Sequence, residues 1–316
     1  MEMLRKTRAE INLDCIEHNL SAFRGTLAKE VKVAGVVKAN AYGHDIVTVT
    51  GLLLEEEADY IAVATVQEAA LLRRNFPHAP LLVMGYTPDD QLPFTVDQGI
   101  TQTVFSLKQC QLLSQRALAT KKKAKVHIKV DTGLSRLGYR DHALALEEII
   151  ATASLEGVEI EGIFSHLALY NPESDQRQYL QFLALIEKLE ARGVFIPIKH
   201  ICDSIGAVAY PQYHMDMVRL GALLYGYCSR KTSFDLKPAM ALRTEIAMVK
   251  AIAAGEGVSY DYYYKAAGPA KIATLPVGYA DGLPRNIWQQ GHVLINGQAA
   301  KFTGMLCMDQ CMVDVT

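Results

Sequence analysis

The chain has 316 residues, half of them hydrophobic, and a formal net charge of -2. That size buries a large core, and one large domain with a smaller companion is the simplest division. Balanced charge without a basic stripe argues against a nucleic-acid or anionic-membrane binder, and no apolar run reaches the length of a membrane span.

The start, Met1-Glu2-Met3-Leu4-Arg5-Lys6, lacks the apolar core of a signal peptide. The six cysteines are scattered, and the close pair Cys307 and Cys311 matches no common zinc spacing. Reduced thiols, no metal and a cytoplasmic location are therefore expected.

Thr7 to Leu13 alternates polar and apolar residues, as a half-exposed strand does. Asp14 followed by Glu17 predicts a capping box for a helix carrying Ile16, Leu20, Phe23 and Leu27 on one face. Val31 to His44 then climbs through a β-branched run to Lys38 and breaks into a loop of small residues, Tyr42 and His44. Such a run reads as a buried parallel strand, whose carboxyl end is where α/β folds place their sites. A lysine held there is partly desolvated, which favours the neutral amine that condenses with an aldehyde. A salt-bridged lysine is the plain alternative.

Seven further strands are predicted at Tyr60–Ala64, Leu81–Gly85, Gln102–Phe105, Lys125–Val130, Ile160–His166, Ile198–Cys202 and Met217–Gly221. Helical segments intervene, one opened by a capping box at Thr65-Val66-Gln67-Glu68 and one running from Gln176 to Arg192. Strand–helix alternation repeated eight times predicts an α/β fold closed as a (β/α)8 TIM barrel. The rival open doubly wound sheet lacks a Gly-x-Gly-x-x-Gly after its first strand. Beyond Gly226 the pattern turns to strands at Ala241–Ala253, Lys271–Val277, His292–Ile295 and Ala300–Thr303, with a hairpin at Asn296-Gly297. Residues 1–13 are read as a strand packing with the C-terminal domain, 14–228 as the barrel, and 229–316 as a mostly β domain. The chain stops at Val313-Asp314-Val315-Thr316 inside what reads as a strand, so the β domain is expected to be incomplete.

The strand ends deliver Lys38 and Tyr42, then Lys129 with Asp131–Arg136, then His166, then His200 with Asp203 and Ser204, then Arg219 with Gly221 and Ala222. Loops after the last two strands of such barrels often hold phosphate, and here they offer a hydroxyl and a Gly-Ala backbone. A phosphate site beside an imine-forming lysine points to pyridoxal phosphate. Taken singly, His166 and His200 read as core histidines, Arg219 as an ion-pair partner and Ser204 as a helix cap. Convergence on one end of one fold favours function.

The chain resembles the alanine racemase family of fold type III pyridoxal-phosphate enzymes. The resemblance rests on Val36–His44, Lys129–Gly133 with Arg136-Leu137-Gly138, Arg219-Leu220-Gly221, Leu224-Tyr225-Gly226, Val258-Ser259-Tyr260, Val277–Gly282 and Cys307–Gln310, in the family's order along nearly the whole chain. It implies an isomerase that interconverts L- and D-alanine by a two-base mechanism, supplies D-alanine for the cell wall, and works as a homodimer with shared sites. Lys38 would hold pyridoxal 5'-phosphate covalently and move a proton on one face of the substrate. Tyr260, from the second subunit, would serve the other face. Arg219 would contact the ring nitrogen, with His166 and His200 supporting it. Tyr42, Ser204, Gly221 and Ala222 would hold the phosphate. Arg136 would lie near the cofactor's phenolic oxygen and, with Met308, bind the substrate carboxylate, and Tyr279 resembles an entryway residue. Lys129 matches a lysine often carbamylated in the family.

This sequence departs from the family pattern at Asp45, where glycine is usual, at Asp203, where asparagine is common, and in the loop Leu167–Ser174. A serine or broad-specificity racemase of the same family is the nearest alternative. A non-catalytic pyridoxal-phosphate carrier lacks the β domain, and a fold-related decarboxylase would carry a cysteine motif that is missing here.

Overall fold

The computed structural model describes residues 5–316. It divides into two compact units, Asn12–Ala239 and the remainder, Met240–Thr316 with the segment ending at Ile11.

In the larger unit eight parallel strands follow one another in chain order: β2 (Lys32–Val36), β3 (Tyr60–Val63), β4 (Leu81–Val83), β5 (Thr101–Val104), β6 (Ala124–Lys129), β7 (Val158–Phe164), β8 (Ile198–His200) and β9 (Met217–Leu220), with β9 returning to pair with β2. The remaining seam, between β8 and β9, is bridged by Arg219 N–H to Cys202 O at 3.1 Å and Asp216 N–H to Lys199 O at 3.0 Å. The sheet is therefore a barrel. Strands β3, β4 and β5 are buried along their whole length, as parallel strands covered by helices must be.

Helices connect the strands: α1 (Leu13–Arg24), α2 (Ile46–Glu55), α3 (Val66–Asn75), α4 (Leu92–Asp97), α5 (Leu107–Thr120), α6 (His142–Ala153), α7 (Pro172–Ala191) and α8 (Ser204–Ala209). The Thr65–Glu68 capping box is present at α3. The one expected at Asp14 is not. Asn12 caps α1 without a side-chain bond and Asp14 sits in the first turn, where its charge meets the positive end of the helix dipole. Among the described residues no helix is long and apolar enough to cross a membrane.

The smaller unit is mostly β. Strand β1 (Arg8–Ile11) pairs antiparallel with β10 (Met240–Arg243). The run expected as one strand over Ala241–Ala253 is broken at Thr244–Ala247, and its second half, β11 (Met248–Ile252), belongs to a different sheet. After the short pair β12 (Gly257–Val258) and β13 (Tyr264–Lys265) comes β14 (Ala270–Leu275). The hairpin of β15 (His292–Ile295) and β16 (Gln298–Lys301) turns at Asn296-Gly297, both with positive φ as a type I′ turn requires. β17 (Cys311–Asp314) pairs with β14, completing the order β11-β14-β17. Ala273, Leu275, Phe302, Leu306 and Val313 form part of this unit's core.

Candidate active site

At the carboxyl ends of the barrel strands lies a cavity of about 430 Å³, lined among others by Lys38, Tyr42, Lys129, Arg136, Phe164, His166, Asp203, Ser204, Arg219, Gly221 and Ala222. Nine of the residues predicted from the sequence thus share one wall system. His200 is fully buried and does not line it; it stands behind Arg219.

Strand β2 ends at Val36, and half-buried Lys38 begins a left-handed turn. Ala39, Asn40, Ala41 and Tyr42 all have φ between 53° and 56°. For L-residues each step costs about 1–2 kcal/mol, so such a turn persists only where its surroundings over-determine it. Several contacts do so. The Glu68 carboxylate accepts from Ala39 N–H at 2.6 Å as well as from Ala64 and Thr65, so one capping residue holds both a helix start and this turn. Asn40 Oδ1 accepts from Ile46 N–H at 2.9 Å. The Tyr225 ring packs against Tyr42 and His44, at 5.0 and 4.4 Å between centroids, while its hydroxyl donates to Val36 O at 3.0 Å. Asp45 has φ 71°, a value that favours glycine; its carboxylate offsets the cost by capping Thr48 of α2 at 2.8 Å.

The loop after β6 is ordered by Asp131, whose Oδ1 accepts from Gly133 and Ser135 N–H and so fixes the approach to Arg136. Lys129 is buried, with its Nζ 4.7 Å over the Phe164 ring. Burial, then nearby Arg219 and Arg136, hold its pKa well below the ordinary lysine value, which favours the neutral amine. Arg219 is 3 % exposed, and burial pushes its pKa down to about 10, still cationic at neutral pH. Its NH1 donates to His200 Nδ1 at 2.7 Å, and its NH2 to His166 Nδ1 at 3.0 Å and to the carbonyls of Ser165 and Ile201. Both histidines are held neutral: burial, then Arg219, depresses His166 to about 2 and His200 well below the usual range. An arginine that only donates forces both Nδ1 atoms to accept.

Ser204 Oγ accepts from Gly221 N–H at 2.8 Å, joining the loops after β8 and β9. A side chain at position 221 would place its Cβ 2.5 Å from the Tyr42 hydroxyl, so glycine lets that hydroxyl lie against the backbone. Asp203 caps α8 through Gly206 N–H at 2.8 Å, and its second oxygen lies 3.9 Å from His166 Nε2.

Tyr260, Tyr279 and Met308 belong to the smaller unit. The structure ties their loops together: Ser259 Oγ donates to Met305 O at 2.6 Å, Tyr279 N–H to Cys307 O at 3.2 Å and Ala280 N–H to Met308 O at 2.9 Å. Tyr260 and Met308 are about two-thirds exposed, at 64 % and 60 %.

Sequence reasoning missed Phe164, His127 and Glu68 as parts of this arrangement. The first two were within reach. In a strand, residues two apart share a face, so Phe164 sits with His166 and His127 with Lys129.

A lysine, two arginines and neutral histidines gathered at the carboxyl end of a (β/α)8 barrel, on a chain with an added β unit, define a barrel enzyme built around an amine and cationic binding groups. The pattern described as "Alanine racemase, N-terminal domain" matches residues 11–229, and "Alanine racemase, C-terminal domain" matches residues 239–316. The chain belongs to the alanine racemase family. It is 45 % identical to alanine racemase 2 of Caldanaerobacter subterraneus subsp. tengcongensis, across 99 % of this chain and 82 % of that protein. It is 40 % identical to the alanine racemase of Clostridium perfringens, across 99 % and 83 %. The structure of alanine racemase from Clostridium difficile 630 superimposes with a TM-score of 0.93 at 38 % identity, covering 99 % of this chain and 84 % of that one.

Proposed function

We propose that the protein interconverts L- and D-alanine with pyridoxal 5'-phosphate as cofactor. The observation that carries the proposal is the shared cavity of Lys38, Arg219, Arg136, Tyr42, Ser204 and the Gly221-Ala222 backbone in a chain of this family. The donor set fits the cofactor. Tyr42, Ser204 and the 221–222 backbone offer neutral donors for a phosphate, Arg219 a donor for a ring nitrogen, and Lys38 an amine for an aldehyde. When bound, the cofactor supplies an aldehyde that condenses with amines and a ring that withdraws electrons from the substrate's α-carbon.

The chain's own groups then have separable tasks. Lys38 moves the α-proton on one face of the amino acid. Tyr260 of a second copy of the chain serves the opposite face, because inversion needs a proton removed from one side and returned from the other. Arg219 stays charged and gives up no proton readily, so it withholds full protonation from the group that it contacts. Arg136 and Met308 orient the carboxylate, Tyr279 borders the entry, and the buried Lys129 amine adds carbon dioxide, releasing a proton, to give the carbamate that orients Arg136. The protein would act as a cytoplasmic homodimer that supplies D-alanine for peptidoglycan.

The test is to add pyridoxal phosphate and L-alanine and follow optical rotation, with L-serine in parallel. D-Alanine formation is expected. An unchanged rotation sinks the proposal in favour of a cofactor carrier, and serine turnover equal to or faster than alanine turnover moves the assignment to a serine or broad-specificity racemase. Carbon dioxide release from a basic amino acid would mark a decarboxylase.

A further inference from the structure

The hydrogen bonds behind Arg219 do not stop at His200. His200 Nε2 lies 2.9 Å from Nδ1 of His127, which is wholly buried on β6. His127 Nε2 has no hydrogen-bond partner among the described residues; the nearest carboxylate is Glu161 Oε2, at 3.6 Å. Glu161 in turn accepts from Thr101 Oγ1 at 3.0 Å and Lys125 Nζ at 2.7 Å, near the amino ends of the strands. A line of polar groups thus crosses the barrel core from the cavity wall to the opposite end.

Two local features build that line. In the pairing of β6 with β7, Val126 faces Ile160 and His127 faces Gly162, so Glu161 is the extra residue of a bulge. A bulge re-aims the side chain it carries. Gly162 supplies the room: a Cβ there would lie 2.5 Å from His127 Cε1.

The proton positions follow from the two ends. Arg219 only donates, so His200 Nδ1 accepts and the His200 proton is on Nε2. That proton is donated to His127 Nδ1, which leaves the His127 proton on Nε2, facing Glu161. An ionised carboxylate only accepts, so the far end agrees with the near one. Any other arrangement of two neutral imidazoles sets donor against donor somewhere in the core, where a lost hydrogen bond is expensive.

We propose that Glu161 is a positioning residue for Arg219, acting through His127 and His200 to hold both imidazoles in one tautomer and to balance the buried guanidinium from across the barrel. Its effect on turnover rests on the racemase reading; its effect on the imidazoles does not.

Nitrogen-15 NMR of the full chain with labelled histidine reads the tautomers directly. In the unsubstituted protein His127 and His200 are expected neutral, with the proton on Nε2. In Glu161→Gln the signals of both should move, although Glu161 does not touch His200. On alanine, Glu161→Gln should lower kcat about threefold to tenfold with KM little changed, and in combination with His127→Gln it should add little to the loss of His127→Gln alone. A proton on Nδ1 of either imidazole overturns the proposal. So does a Glu161→Gln protein that melts at lower temperature while its His200 signals stay in place, since that is a purely structural glutamate. If the unsubstituted protein racemises nothing, the functional reading fails and the NMR result alone decides this one.

Discussion

The barrel has a cavity at each end, of similar size and opposite character. The one at the amino ends measures about 470 Å³ and is lined by Lys32, Asp59, Arg73, Lys125 and Glu161. Its charges are largely matched: Lys32 pairs with Asp59 at 3.2 Å and Lys125 with Glu161 at 2.7 Å, while Arg73 donates to the carbonyls of Pro77, Ala79 and Gly99. The one at the carboxyl ends gathers Lys38, Lys129, Arg136 and Arg219 with, among the described residues, one lining carboxylate, Asp203, and sits on a strained turn. Volume does not tell the two apart. What marks the carboxyl end is an excess of basic groups over carboxylates, with Arg219 met by carbonyls and imidazoles instead of an ion-pair partner, paid for in backbone strain and neutral buried imidazoles.

Glu161 apart, substitutions at the two ends should therefore differ in kind. Lys38→Ala should reduce turnover by at least about 10³-fold and abolish the borohydride-reducible adduct with the cofactor; an adduct surviving in that variant removes Lys38 from its role. Acid should act next most strongly, through the carboxyl end and its supports. The pKa values of His127, His166 and His200 are depressed in the folded state, chiefly by burial. Below about pH 6.5 the unfolded chain binds protons that these imidazoles refuse when folded, so stability falls as pH falls. The loss should steepen as pH falls through this range. Denaturant melts between pH 7 and 5 would show it, and a flat profile would contradict the neutral assignments.

Glu68→Ala strands three backbone donors, among them Ala39 N–H, and should cost about 2–3 kcal/mol. Thr65→Ala, which removes the other half of the capping box, should cost only about 1 kcal/mol. Equal losses would mean that the left-handed turn is held elsewhere. Smallest of all, Lys32→Ala at the amino end should change stability by less than about 1 kcal/mol and leave turnover alone, since the pair is half-exposed. A tenfold fall in kcat would erase the contrast between the two ends.

Much of this was legible in the sequence because it depends on periodicity. The eight apolar runs became the eight barrel strands, and their last residues became the cavity wall. Boundaries moved where spacing alone was too weak a guide: Asp14 had the spacing of a cap, but the chain enters α1 two residues earlier, at Asn12, with no side-chain bond to mark the start. The span 241–253 had a continuous strand composition, but it divides between two sheets, a long-range choice that composition does not encode. The turn at Ala39–Tyr42 was not visible either, since alanine and tyrosine carry no left-handed preference. What holds them there is Glu68 and Tyr225, neither of them near in sequence.

That separation bears on the order of folding. The turn that aims Lys38 is closed partly by a bond from Tyr225 to Val36, 189 residues apart in the chain. A strained turn gains nothing until its restraints exist, and a contact of that span forms only after the barrel has largely come round. The lysine's geometry is therefore set late, when the last strands dock. Substitutions in the turn or at Tyr225 should hasten unfolding far more than they slow folding.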